Sequence, residues 1–417
     1  MMEKGWQVRM KNKENRIHIS SIELKFIQFC HINILVLAGV VLFLISLIIR
    51  WHFRGFISRD YEAFLLPWYN ELIEGGGYKA LKNEIGDYYI PYITLMATMT
   101  YLPGPPLYWI KLVSIVFDYI AAGVSGMIVW ELKKDYCIEK RKLLVFLTWT
   151  SIILSPMVIS NGAVWGQCDI IYTTFILLSL YFMIKMQYTC SFLFLGIAFC
   201  FKFQTVFMLP IYILLYLKQK RFSILYFMYI PLMYLVSGLP AIFAGRRILN
   251  VYGIYFGQIT SYNMLTLKMP NIYSLLPEQY GMFFLPGIMI TMALIILMAV
   301  YVVYYKVCVL DKLSIILLAC WFNMTCIFFF PAMHERYSFL FIILSGLIYI
   351  QNYRKVYIPI IFNAVAVITY NLFLFGFLAI DMRILAIIHL ALWLVVSCDI
   401  VKYLNQEGTV DEKAISC

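Results

Sequence analysis

A few carboxylates and cations stand where the sequence passes between long apolar runs. Asp60 and Glu62 follow the first of these runs, with Tyr61 between them. A carboxylate just beyond the edge of a hydrocarbon layer can take a proton from an acceptor hydroxyl. It can equally cap the helix that Ala63, Phe64, Leu65, Trp68 and Leu72 trace at helical spacing. Asp60 is the better base of the two, because it lies nearer that edge. Asp169 closes a second polar turn that begins at Asn161 and contains Trp165 and Gln167. Those two are sugar-contacting types, a flat apolar face and an amide that both donates and accepts. A helix N-cap is the alternative reading of Asp169.

The cations are Lys202, Arg246 and Arg336. Lys202 separates two short apolar segments, where a cation either snorkels to the interface or binds an anion. Arg336, in the string His334-Glu335-Arg336-Tyr337, can hold a phosphate with two parallel hydrogen bonds. Glu335 beside it can instead neutralise it. His334 alone is thin evidence for a metal site, and no metal is expected. Arg246 suits a lipid headgroup as well as a donor phosphate. Gln258, His334 and Glu335 are further candidates for sugar or acceptor contact. Lys111 and Asp118 are seven residues apart, hence on one face of one helix. An ionisable group at that depth usually faces protein and pairs with another helix, so both are read as structural or supporting the site.

These residues must be positioned by membrane-embedded helices. Of the 417 residues 63% are hydrophobic and only 13% charged, and the mean hydropathy is +0.83. A soluble domain carries about 25% charged residues, so a water-soluble enzyme and a disordered chain are both excluded. The apolar runs are continuous rather than alternating, which excludes a membrane β-barrel. The fold class is therefore all-α, polytopic and integral to the membrane. The net charge of +11 fits basic loops on the inner side of a membrane better than a nucleic-acid surface. The ten cysteines are scattered and read as small buried hydrophobes.

Apolar runs near 32–49, 108–132, 143–160, 169–186, 190–203, 204–218, 222–244, 283–305, 312–330, 337–351, 355–375 and 384–402 predict about twelve transmembrane helices. The run 88–103 is ambiguous. Treating it as interfacial gives the stronger bias of Lys and Arg to one side, and both termini then lie in the cytoplasm. Residues 1–31 form a basic N-terminal segment, and the first helix is retained rather than cleaved. Residues 32–244 form the main module, including a long external loop at 50–107 with interfacial helices. A second external loop at 245–282 precedes C-terminal helices over 283–402 and a tail at 403–417. Asp60, Asp169 and Arg336 then share the external face. No nucleotide-binding or hydrolase motif stands at a sensible position. An activated donor held in the lipid would have to supply the driving force.

The order of these features resembles the GT-C glycosyltransferases. It is most similar to bacterial mannosyltransferases related to the GPI-anchor enzymes. The resemblance rests on the acid after the first helix, Lys111 and Asp118 on the second, and Trp165-Gly166-Gln167-Cys168-Asp169 after the third. It continues with Lys202-Phe203-Gln204 before Leu209-Pro210, and His334-Glu335-Arg336-Tyr337 late in the chain. It covers roughly residues 28–345. It implies an inverting transferase of a bacterial plasma membrane that takes a sugar, mannose on resemblance alone, from a polyprenyl phosphate. The acceptor would be a glycan, lipid or protein outside the cell. It implies Asp60 as general base, with Glu62 as its rival and Asp169 as the second acid. Lys202, Arg336 and Arg246 would bind the donor phosphate, and Trp165 and Gln167 would position the sugar. No cofactor is implied beyond the lipid-linked co-substrate. A lipid or sugar transporter, a glycan polymerase and a non-enzymatic scaffold are the competing readings.

Overall fold

The computed structural model describes residues 20–259, 263–304, 310–350 and 352–415; the side chains of 256, 258, 259 and 406–415 lie outside that description. The chain divides into two compact units, 1–45 and 46–417. The first unit holds α1, Ser21–Ile32, whose start is fixed by a reciprocal pairing of Ser20 with Glu23. It also holds most of α2, Ile34–His52.

The second unit is a helical bundle. Its long helices are α5 (Pro106–Leu132), α6 (Ile138–Ile153), α10 (Tyr229–Phe243), α11 (Tyr280–Tyr304), α12 (Lys312–Phe329), α14 (Tyr357–Phe375) and α15 (Met382–Ile415). Shorter helices complete it: α3 (Leu66–Glu74), α4 (Ile90–Met99), α7 (Asp169–Ile184), α8 (Tyr188–Phe201), α9 (Leu209–Gln219) and α13 (Phe339–Tyr349). The strands described are β1, Thr266–Leu267, and β2, Met333–His334, which pair in parallel.

Among the described residues, seven helices are long and apolar enough to cross a membrane. They become eight when the bent pair Ile138–Ile153 and Pro156–Trp165 counts as one span. This is an all-α membrane protein, with fewer full-length spans than the twelve apolar runs suggest. The difference lies in α7, α8, α9 and α13, of 16, 14, 11 and 11 residues. At 1.5 Å per residue they reach only about 16–24 Å, short of a hydrocarbon core of about 30 Å. Of these, α7 and α13 are apolar because they sit inside the bundle, whereas α8 is buried on one side and α9 exposes Ile213 and Leu217. All but one residue of α13 is buried, and α12 is wrapped on all sides. α11 instead exposes Leu285, Met289, Met292 and Ile296 along one face, as a lipid-facing helix does.

The run 88–103 is resolved by length. Its helix α4 has 10 residues and buries Ile90, Tyr92, Ile93, Met96 and Ala97, so it supports the bundle and does not span. The amphipathic helix expected after Asp60 is α3. It turns Tyr69 and Leu72 into the protein core, as the turn before it does Leu65, leaving Phe64 and Ile73 exposed.

Candidate functional site

Two short π-helical turns, Tyr61–Leu65 and Ser160–Trp165, build the site. Such wide turns break the helix register and re-aim side chains, often at functional sites. The second turn ends on Gly166 at φ +82°, a conformation glycine adopts without the cost other residues incur. The chain then reverses, so that the Gln167 N–H donates to Asn161 O at 2.9 Å. Ser58 Oγ fastens the two turns by donating to Trp165 O at 2.7 Å, and Ser114 Oγ donates to Gln167 O at 2.7 Å.

This frame holds Asp60. Its Oδ2 accepts from Trp165 Nε1 at 2.9 Å and from Gln167 Nε2 at 2.6 Å, and Arg336 Nη1 lies 3.7 Å away. Among the described residues no donor reaches Oδ1, and the carboxylate keeps 13% of its side-chain surface exposed. Glu62 is exposed and outside this network, so the structure separates the two rivals that sequence leaves side by side.

The sugar contacts expected of Trp165 and Gln167 are corrected by their burial. Trp165 is fully buried, stacked on Phe373 with ring centroids 4.5 Å apart and edge-on to Tyr370. Gln167 is 3% exposed, and its Oε1 accepts from Tyr88 Oη at 3.1 Å while its amide N–H serves Asp60. Neither offers a surface to a ligand; both fix Asp60.

Asp169 is fully buried at the start of α7 and does not cap it. Its Oδ1 accepts from Lys202 Nζ at 2.5 Å and its Oδ2 from Asn161 Nδ2 at 2.9 Å. Lys202 sits at the break after α8, in extended conformation. Asp169 therefore anchors Lys202 from behind and does not itself reach open space.

Lys202 and Arg336 stand on the wall of a 560 Å³ cavity, together with Tyr88, His334, Tyr337 and Asp87. The rest of its lining is largely apolar. Phe284, Ile288, Met292 and Ile295 of α11 recur at intervals of four, four and three residues, one helical face. Ile213 of α9 also lines the cavity. Arg336 Nε is buried and has no hydrogen-bond partner among the described residues, which leaves a donor for an anion. Burial lowers His334 below the usual imidazole value, with Arg336 and Lys202 acting the same way and Glu335 opposing. His334 therefore favours its neutral form there.

The remaining candidates divide. Glu335 is buried, 3.9 Å from both Arg336 Nη1 and His334 Nδ1, and absent from the cavity wall. It serves as a counter-charge and not as the ligand contact expected. Arg246 is also absent from that wall; its Nη2 donates to Asn250 O at 3.3 Å. It does not join Lys202 and Arg336 on that wall. The Gln258 side chain lies outside the described residues. Lys111 Nζ donates to Phe53 O and Phe56 O at 2.8 and 2.7 Å, closing the exposed carbonyls after α2. Asp118 accepts from Arg50 Nε and Nη2 at 3.1 and 2.9 Å, a pair buried between α5 and the end of α2. Both are structural.

Asp87, on the cavity wall, is not among the residues that the sequence singles out. The only signal was Gly86-Asp87 ahead of an aromatic, proline-started helix. Among the described residues, no group of three or more His, Cys, Asp or Glu is arranged to hold a metal ion. No family model matches the chain, and no curated protein matches it in sequence.

Proposed function

We propose that this protein is an inverting membrane glycosyltransferase that takes its sugar from a polyprenyl-phosphate donor. The observation that carries this reading is the mixed lining of the cavity. Lys202 and Arg336 share its wall with a stripe of apolar side chains on α11 and with Ile213 of α9. A phosphate with a long apolar tail suits such a lining, because its charge needs donors and its chain needs desolvation.

The chemistry then follows from placement. The acceptor hydroxyl attacks the anomeric carbon as the bond to the phosphate oxygen breaks, and the electron pair leaves on the lipid phosphate. Negative charge grows there, so fixed cations at that point stabilise the transition state more than the ground state. Asp60 takes the acceptor's proton through Oδ1, while Oδ2 is held by Trp165 and Gln167. Asp60 does not itself line the cavity, and the 3.7 Å approach of Arg336, which does, links the base to it. In this reading the site lies on the external face of a bacterial plasma membrane, with both termini in the cytoplasm. Mannose is the first sugar to test. The acceptor is a glycan, lipid or protein.

The experiment is sugar transfer in nanodiscs from a panel of short-chain polyprenyl-phosphate sugars, comparing wild type with Asp60→Asn. Transfer by wild type that falls at least a hundredfold in the folded variant supports the reading. Equal turnover by both removes Asp60 from the mechanism.

A further inference from the structure

The donor cavity holds one carboxylate on its wall, and it is neither Asp60 nor Asp169. Asp87 lies on the segment between Asn83 and Tyr89 that leads into α4. Three contacts fix that segment. Gly86 has φ +65°, and a Cβ there would come within 2.7 Å of the Trp68 ring, so the backbone lies directly on the indole. Tyr88 packs edge-on against Trp68 at 5.3 Å between centroids. The Tyr88 hydroxyl donates to the same Gln167 that holds Asp60. Asp87 is thus carried on a braced loop, is exposed, and lines the same cavity as Lys202 and Arg336.

A carboxylate at this place needs a reason, since it would repel a phosphate bound to Lys202 and Arg336. The reason is the group attached to that phosphate. A neutral sugar offers several hydroxyl donors, and a carboxylate is an acceptor with two oxygens. Resting on the transferase reading above, we propose that Asp87 binds hydroxyls of the sugar being transferred, and so selects neutral hexosyl donors over anionic, uronosyl ones. The same charge that accepts from hydroxyls repels a sugar carboxylate, so one residue supplies both attraction and rejection.

The electrostatics support this role. Withdrawal from bulk water raises the Asp87 carboxyl above the usual carboxylate range, while Arg336, Lys202 and His334 pull it down. Those three groups belong to the same cavity wall as Asp87.

The test measures binding to the whole protein in nanodiscs. Three probes are compared: a short-chain polyprenyl phosphate without sugar, its neutral hexosyl form, and its hexuronosyl form. In wild type the hexosyl donor binds more tightly than the bare lipid phosphate, and the uronosyl donor more weakly. Asp87→Ala weakens the hexosyl donor roughly tenfold or more, the cost of one lost charged hydrogen bond. It leaves the bare lipid phosphate as tight or tighter. Asp87→Asn keeps part of the hexosyl affinity and improves uronosyl binding. With turnover as second readout, both variants raise KM for the hexosyl donor more than they lower kcat. Unchanged discrimination among the probes in Asp87→Ala overturns the proposal, as does loss of kcat alone with KM unaltered, which would make Asp87 the base. Failure of wild type to bind any of the three lipids overturns the transferase reading instead, and the proposal with it.

Discussion

Replacing Lys202 by Met separates a structural from a catalytic role, because the structure gives Lys202 two neighbourhoods. On one side is Asp169, fully buried and 2.5 Å from the ammonium. On the other is the cavity where the donor phosphate is proposed to lie. Among the described residues, Lys202→Met leaves Asp169 with the Asn161 amide as its one hydrogen-bond partner. Breaking a buried ion pair from one side costs about 3–5 kcal/mol. Adding Asp169→Asn removes the orphaned charge and should recover most of that loss. The phosphate loses its cation in both variants. Removing one preorganised stabiliser of a developing anion costs about 10²–10³ in kcat. The expected pattern is a destabilised, slow single variant and a stable, equally slow double variant. The assay pairs thermal unfolding in nanodiscs with donor turnover. A double variant that regains wild-type turnover would refute the reasoning, since Lys202 would then be no more than the counter-ion of Asp169.

Further outcomes follow from other contacts. Arg50→Leu strands the fully buried Asp118 and should destabilise by about 3–5 kcal/mol, whereas Arg50→Leu with Asp118→Leu should recover; unfolding midpoints check both, and donor KM should be unchanged in the folded double variant. Gly86→Ala forces a side chain against Trp68 at positive φ and should cost about 1–3 kcal/mol, with a raised donor KM that Asp87→Ala does not raise further. Because burial lowers His334, the folded state binds its proton less readily than the unfolded chain does. Its contribution to stability is therefore complete above about pH 6.5 and declines as pH falls towards its folded value. The stability difference between wild type and His334→Gln, measured from pH 5 to 8, should shrink with acid; a flat difference would show no such linkage.

Much of the fold class was legible because continuous apolar runs have one physical solution in lipid, the helix. The number of spans was not. Hydropathy cannot distinguish a helix that faces lipid from one buried in the bundle, as α7 and α13 are, nor see that α8 and α9 stop short of a full span. The site was legible in part. Asp60, Trp165 and Gln167 were singled out as polar residues at the ends of apolar runs, and they do meet. Their division of labour was hidden, since only packing against Tyr370 and Phe373, some 200 residues later in the chain, shows that Trp165 is sealed from any ligand. Lys111 and Asp118 share a helix face yet take different partners, because the end of α2 passes both. Arg50 was overlooked for a related reason: a cation at the end of an apolar run looks like an interfacial anchor until a buried carboxylate is found beside it.

The most direct test of the account is transfer by the purified wild-type protein in nanodiscs. Short-chain polyprenyl-phosphate sugars serve as donors, and the anomeric configuration of the product is read by NMR. The account predicts that a neutral hexose moves with inversion, and that Asp60→Asn abolishes the transfer without loss of folding. Retained configuration, or a folded Asp60→Asn protein that transfers at the wild-type rate, would contradict it.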